Sequence, residues 1–113
     1  MSRYIFKIKP DEIKDLIPLM GYCLCSDKIT VDGEPVGFMY REHPEDENDS
    51  GWHFLSGTES QEYVDDYKNM MVFEVNTIAN YDPAIIPYLN TKPEIAFERI
   101  EGTDKFIKYS END

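Results

Sequence analysis

The chain has 113 residues, of which 41% are hydrophobic and 13% aromatic, a composition typical of a folded protein with one modest core and not of a disordered chain. Its formal net charge of −12 disfavours nucleic acid and anionic membranes as partners, and no apolar run reaches the roughly 18 residues of a membrane-spanning helix. We therefore expect a single domain, residues 1–113, that binds neither nucleic acid nor membrane.

The first twenty residues contain two patterns. Met1–Pro10 alternates charged and apolar residues and lacks the continuous apolar run of a secretory signal peptide, so the cytoplasm is the expected compartment. Beyond it, apolar residues at i, i+3, i+4 and i+7 predict a short amphipathic helix that Pro18 ends or distorts. The apolar positions of this helix are Ile13, Leu16, Ile17 and Met20.

Two strand candidates follow, separated by a turn signal. Tyr22–Val31 and Val36–Arg41 are rich in residues that favour strands, and Asp32–Gly33 between them favours a turn, so we expect the two to pair as a hairpin. Cys23 and Cys25 would point to the same face of the first strand, about 6.5–7 Å apart, near or beyond the limit for a disulfide. We expect two reduced, half-buried thiols.

The next segments are predicted to be a loop and two strands. Glu42–Ser50 is polar and acidic, which predicts a surface loop. Gly51–Ser56 is a strand candidate, and its Trp52 is expected in the core. Met70–Val75 is strongly apolar, which favours a strand in the centre of the sheet.

A helix is predicted between these two strands. Thr58 and Gln61 have the spacing of a capping box, and acidic residues in the first turn favour a helix that runs to about Tyr67. Tyr63 and Tyr67, four residues apart, would share one face of this helix.

The last third of the chain predicts short helices and a second hairpin. Asn76 is a candidate cap of a short turn that ends at Ala79, and Asp82 followed by proline predicts a capped helix that ends at Leu89. Ile95–Ile100 and Lys105–Tyr109 flank a turn and predict a hairpin. The fold class is therefore α+β: an antiparallel-rich mixed sheet with two or three short helices packed on it.

The sequence contains few signals of enzyme or metal chemistry. It lacks a nucleophile elbow and a phosphate-binding glycine loop. An enzyme that uses His43 or His53 with a carboxylate would need one of them in a deep pocket. Asp46–Gly51 copies the first half of an EF-hand loop, but the twelfth position is Gly57 where a glutamate should be. We expect no catalytic residue, no metal site and no cofactor, with cation binding by the acidic loop left open.

The acidic residues are unevenly distributed. Residues 42–91 contain 11 acidic side chains and one basic one, Lys68, whereas the rest of the chain contains 12 acidic and 10 basic side chains. Such a patch attracts a cationic partner and accelerates their encounter. Aromatic anchors among acids suit a partner rich in lysine and arginine. The predicted partner contacts are Asp46, Glu47, Asp49, Glu59, Glu62, Tyr63, Asp65, Asp66 and Tyr67.

Several short sequence motifs, within roughly Cys23–Arg99, resemble those of the bacterial immunity-protein family numbered thirty-three, formerly a domain of unknown function. The run Asn76–Pro83 is the most specific of them, and Lys92–Ile95 departs from the pattern, which has a glycine soon after the proline. The motifs are Arg41-Glu42-x-Pro44, Asp49-Ser50-Gly51-Trp52-x-Phe54-x-Ser56-Gly57, Glu62-Tyr63-x-Asp65, Asn76-Thr-Ile-Ala-Asn-Tyr-Asp-Pro83, Ile86-Pro-Tyr-Leu89 and Ala96-Phe-Glu-Arg99.

The resemblance implies a cytoplasmic antidote encoded beside a polymorphic toxin, and it carries no catalytic residues. It agrees with the charge, because many toxin domains that attack nucleic acids are basic. We therefore expect a non-enzymatic inhibitor that binds a basic toxin. The alternative is a small-ligand or cation-binding housekeeping domain with no toxin partner. Exposed edge strands leave homo-oligomerisation open.

Overall fold

A computed structural model describes residues 6–109, in which six strands form one sheet in the order β4-β1-β3-β2-β5-β6. The strands are β1 Tyr22–Ser26, β2 Phe38–Arg41, β3 Asp49–Leu55, β4 Met70–Glu74, β5 Ile95–Arg99 and β6 Phe106–Lys108. β1 and β3 are parallel, and all other neighbours are antiparallel. The helices are α1 Asp27–Thr30, α2 Gln61–Asp65 and α3 Val75–Tyr81, with 3₁₀ helices at Pro10–Glu12, Tyr67–Asn69 and Pro83–Tyr88. The predicted α+β class is confirmed.

The core lies on one face of the sheet, beneath α1 and α3. Trp52 is 1% exposed, as predicted, and its indole N–H donates to the Leu89 carbonyl at 3.1 Å. Cys23 and Cys25 are free thiols, more deeply buried than expected, and burial raises the pKa of both well above the usual thiol range. The other core residues are Ile29, Val36, Met39, Phe54, Val75, Ile78, Ala79, Ile85, Leu89, Phe97 and Phe106.

The predicted hairpin between Tyr22–Val31 and Val36–Arg41 is wrong. β1 ends at Ser26, whose hydroxyl accepts the Lys28 N–H at 3.2 Å and so caps α1. β3 then lies between β1 and β2, and β2 pairs with β3 and β5. The predicted C-terminal hairpin is confirmed, because β5 and β6 are antiparallel neighbours joined by a short turn.

The predicted helix over residues 13–20 does not form. Side chains of α3 bond the backbone groups that this helix would need. Asn76 Oδ1 accepts the N–H groups of Leu16 at 2.8 Å and Ile17 at 3.2 Å. Asn80 brackets Lys14, accepting its N–H and donating to its carbonyl, both at 2.9 Å. Asn76 therefore fixes a distant segment and is not a helix cap; α3 begins one residue earlier, at Val75.

β4 is an edge strand of the described sheet, not the predicted central one. Its partner is β1, and Val72 on its outward-pointing side is 63% exposed. Its inward-pointing residues Met71 and Phe73 pair with Cys25 and Cys23, which explains the apolar sequence. In residues 6–109 we find no helix of the length and apolar character needed to span a bilayer.

Helix caps are predicted well in one case and poorly in another. Asp82 caps the helix Pro83–Tyr88 as predicted, since its Oδ1 accepts the Ala84 N–H at 3.2 Å, although the helix is 3₁₀ and not α. The cap of α2 is Ser60, whose hydroxyl accepts the Tyr63 N–H at 3.1 Å, and not Thr58.

Candidate partner-binding surface

The face of the sheet opposite the core carries a row of side chains, one from each strand in turn. The register across the sheet places Val72, Leu24, His53, Tyr40 and Ala96 side by side. Tyr109, just after β6, extends the row by donating its N–H to the Ala96 carbonyl at 2.8 Å. We call this the open face: the outward-pointing residues of the six strands, opposite α1 and α3.

The centre of the open face is aromatic and ordered by ring stacking. The Tyr40 ring and the His53 imidazole are parallel within 7°, with their centroids 4.4 Å apart. The ring centroid of Phe38 lies 6.1 Å from that of Tyr40 and 5.4 Å from that of Tyr109, which it meets edge-on. Burial, with a smaller contribution from the charge of Glu42, raises the pKa of Tyr40, so its hydroxyl stays protonated near neutral pH.

An acidic groove of about 660 Å³ lies at one end of the open face, beside Tyr22 and Val72. His53 Nε2 lies 2.9 Å from Glu42 Oε1, and His43 Nε2 lies 2.8 Å from Glu94 Oε1. None of the described residues that line the groove is lysine or arginine. Its carboxylates come from Glu42, Glu45, Asp46, Asp49 and Glu94.

His53 does not offset the negative charge of the acidic groove. Burial lowers the pKa of His53, and this outweighs the opposing effects of Glu42 and Asp49. His53 is therefore mostly neutral near pH 7, and it meets Glu42 as a hydrogen-bond partner more than as a counter-ion. The His43–Glu94 pair is exposed to solvent, at 70% and 72%, so it adds little stability.

A second groove, of about 990 Å³, lies at the opposite end of the open face, and we call it the distal groove. Phe38, Leu55 and Ile107 form its apolar part, and Val64 of α2 borders it. Arg99 lies beside it but is already bonded to Asp82. The carboxylates that line it are Glu59, Glu98, Glu101 and Asp104. Carboxylates therefore lie at both ends of the open face.

The structure divides the predicted partner contacts into two groups. Asp46 and Glu47 lie in the loop between β2 and β3, and Asp49 is the first residue of β3. The second group, which follows the end of β3, is Glu59, Glu62, Tyr63, Asp65, Asp66 and Tyr67. A seven-residue strand separates them, about 20 Å at the usual rise of a strand. They form two clusters, not one.

Four of these acids hold their own loops in place. Asp49 accepts the N–H groups of Gly51 at 2.9 Å and Glu45 at 3.0 Å, and Asp46 accepts that of Asn48 at 2.8 Å. These carboxylates therefore accept hydrogen bonds from the backbone of their own loop. Glu59 and Asp66 have the same role: Glu59 accepts the N–H groups of Ser56 and Gly57, and Asp66 accepts that of Lys68.

The tyrosines do not share a helix face as predicted. α2 ends at Asp65, so Tyr67 lies in the following 3₁₀ helix and is 80% exposed. Tyr63 is half-buried, with the Lys28 ammonium 5.3 Å from its ring centroid. Glu62 and Asp65 are exposed, which leaves these acids and Tyr67 facing solvent.

Glu94 has a left-handed backbone conformation, with φ 66°, which is unusual for a residue with a side chain. It directly follows Pro93, and the resemblance leads us to expect a glycine soon after that proline. We expect Glu94→Gly to raise the free energy of unfolding by about 0.5–1 kcal/mol, measured by urea denaturation, because glycine relieves the strain. Glu94→Ala removes the carboxylate but keeps the strain; an equal gain from it would contradict the backbone explanation.

In residues 6–109, no group of three or more histidine, cysteine, aspartate or glutamate side chains is arranged to hold a metal ion. The EF-hand-like run Asp46–Gly51 folds differently from a calcium loop. Its aspartates bond backbone N–H groups, and the Ser50 hydroxyl donates to the Tyr22 carbonyl at 2.6 Å.

Comparison with protein-family models gives one finding for this chain. The model of the immunity protein Imm33 domain matches residues 23–110. The match begins within β1 and leaves out the N-terminal segment that Asn76 and Asn80 bind. Searches of the curated proteins and of the solved structures found no match.

Proposed function

Because the chain belongs to the Imm33 family of immunity proteins, we propose that it binds and neutralises a cognate bacterial toxin in the cytoplasm. The family match over most of the chain is the observation that supports this role. Immunity proteins act by binding, so we propose no catalytic residue and no cofactor. Occupation of the toxin's active surface would suffice for protection.

We propose further that the toxin is basic. The net charge of −12 and the carboxylates in both grooves create a negative field over the open face and its two ends. Such a field raises the association rate of a cationic protein at low ionic strength and discriminates against acidic ones. Fast association suits an inhibitor that must capture a toxin before it acts.

The proposed contacts are the two clusters at the ends of β3, with different roles inside each cluster. Exposed side chains that bond no loop backbone within residues 6–109 are proposed to meet the toxin directly: Glu47, Glu62, Asp65 and Tyr67. Asp46, Asp49, Glu59 and Asp66 shape their loops and add to the field. Tyr63, half-buried, supports the second cluster.

Neutralisation is tested by co-expression with the toxin domain encoded beside this gene. Expression of the toxin alone should stop growth, and the wild-type chain should restore it. Purified chain and a catalytically inactive toxin variant should form a complex by titration calorimetry. Continued growth arrest together with no complex at micromolar concentration would contradict the proposed function.

The role of the negative electrostatic field is tested by a double charge reversal. The variant combines Glu47→Lys with Glu62→Lys and so changes one exposed acid in each cluster. We expect the association rate to fall about tenfold at low salt and its salt dependence to flatten, because part of the steering field is reversed. Stopped-flow measurement over a salt series checks this. Asp11→Lys with Asp15→Lys changes the net charge equally, on exposed residues of the N-terminal segment. Equal slowing by both pairs would contradict the assigned clusters.

A further inference from the structure

We infer that the open face is the central docking surface for the toxin, and that the toxin meets it with an apolar patch flanked on two sides by lysine and arginine. This inference rests on the proposed function. It adds the surface between the two clusters of predicted contacts, because those contacts lie at the two ends of β3 and the open face lies between them.

The first support is exposed apolar area. Val72 is 63% exposed, Ile107 52% and Tyr22 47%, and all three point to the open face. Val72 and Tyr22 border the acidic groove, and Ile107 lies in the distal groove at the opposite edge of the sheet. The half-buried aromatic rings of Phe38 and Tyr40 lie between them on the same face. Several apolar side chains along one face indicate an interaction site more strongly than a single exposed one. Tyrosine in such a group is typical of interface centres, because it provides a large contact area for few rotatable bonds.

The second support is the size of the surface. Six strands about 4.8 Å apart and about 17 Å long give a face on the order of 400 Å². A stable interface buries roughly 800 Å² per partner, so the open face alone is too small. A toxin that forms an interface of this size must also cover the surface at the two ends of the open face, where the carboxylate-lined grooves lie. The toxin is therefore expected to span both grooves.

The third support is the arrangement of charge. Carboxylates border the apolar centre at both ends, so a partner that covers the centre must offer positive groups at both of its edges. A second copy of this chain lacks that pattern on its own open face. It would bring its carboxylates against the same groups, and like charges facing each other disfavour association. Charge therefore favours the basic toxin over a homodimer.

The fourth support is order at the centre before binding. Tyr40 and His53 are stacked on each other, and His53 is also hydrogen-bonded to Glu42. Side chains that are already fixed lose less rotational freedom on association. An ordered aromatic centre with carboxylates around it has the organisation of an interface with a dry core and a polar rim.

The test places a positive charge on the open face. We expect Val72→Lys and Ile107→Lys each to weaken binding of the inactive toxin by about tenfold or more, mainly through faster dissociation. Both residues are exposed and lie on edge strands, where lysine is well tolerated. Leu19→Lys is the matched control: Leu19 is 80% exposed and lies between Ile17 and Met20, which pack against the core. The affinity of Leu19→Lys for the inactive toxin should match that of the wild type.

Interferometry against the immobilised toxin, with circular dichroism and melting temperature for each variant, distinguishes the outcomes. Wild-type affinity in both open-face variants, with reduced affinity in the charge-reversed pair, would overturn the docking surface and keep the proposed function. No binding by the wild-type chain would overturn both. A wild-type dimer in sedimentation that Val72→Lys converts to a monomer would assign the face to self-association and overturn the inference.

Discussion

Replacement of Asp82 by alanine is expected to lower the free energy of unfolding by about 3–5 kcal/mol, because it removes the buried carboxylate of the Arg99 ion pair and leaves the buried Val36 N–H without its acceptor. Asp82 Oδ2 accepts Arg99 Nη1 at 2.6 Å and the Val36 N–H at 2.9 Å, and both side chains of the ion pair are at most 14% exposed. Arg99 Nη1 also donates to the Val36 carbonyl at 2.8 Å. One carboxylate thus joins three distant parts of the chain. Urea denaturation measures the loss.

Asp104→Ala provides the control for this prediction. Asp104 accepts Arg99 Nη2 at 2.8 Å but is 89% exposed, so its removal should cost no more than about 1 kcal/mol. The comparison keeps Arg99 constant and contrasts a buried carboxylate, which also accepts two backbone N–H groups, with an exposed one that, within residues 6–109, accepts only from Arg99. Similar small losses in the two variants would show that the Asp82 pair does not secure the fold.

Local signals in the sequence predict the structure well where neighbours along the chain determine it. The hairpin of β5 and β6 is one case, because a turn between two alternating segments specifies both strands and their pairing. The aspartate–proline start of the 3₁₀ helix is another, since the cap bonds an N–H two residues away. In both cases no distant segment needs to be known.

The predictions that fail depend on distant partners. β1 pairs with β3 and β4, both later in the chain, so the adjacent turn signal at Asp32–Gly33 does not identify its neighbour. The segment over residues 13–20 has helical spacing, but side chains from α3 bond its backbone. Periodicity reports which residues are buried, and here it does so correctly for Ile17 and Met20 without a helix.

The sequence predicts that the candidate surface is acidic, but it does not predict where the acidic residues lie on the folded chain. The excess of acids in residues 42–91 is visible in the sequence, but β3 separates them into two clusters. The open face has a weaker signal, the alternation of Met39 with Phe38 and Tyr40. Alternation identifies two sides of a strand, but the covered side becomes known only when the helices are placed. The run Asn76–Pro83, the most specific part of the resemblance, is explained by structure: Asn76 and Asp82 join distant segments.

A second large effect is expected at Gly51, where alanine should lower the free energy of unfolding by about 3–5 kcal/mol. Gly51 is buried in β3 with φ 84°, and a Cβ there would collide with the Glu42 carbonyl oxygen. The residue stands at the start of β3, where pairing with β1 shifts register between Tyr22 and Leu24. An irregularity of this kind needs a residue that tolerates the left-handed region.

Gly102→Ala separates the two causes of the lower stability in Gly51→Ala, which are the left-handed backbone conformation and the collision of the added Cβ. Gly102 has nearly the same conformation, φ 78°, but an added Cβ meets no atom within 4 Å, so only the backbone cost of about 1–2 kcal/mol is expected. The excess in Gly51→Ala measures the collision with Glu42. Displacement of Glu42 also breaks its bond to His53, so Gly51→Ala should weaken toxin binding at a temperature where it is still folded, whereas Gly102→Ala should not. Equal losses of stability in the two variants would show that β3 yields to the added methyl group and that the acidic groove does not depend on Gly51.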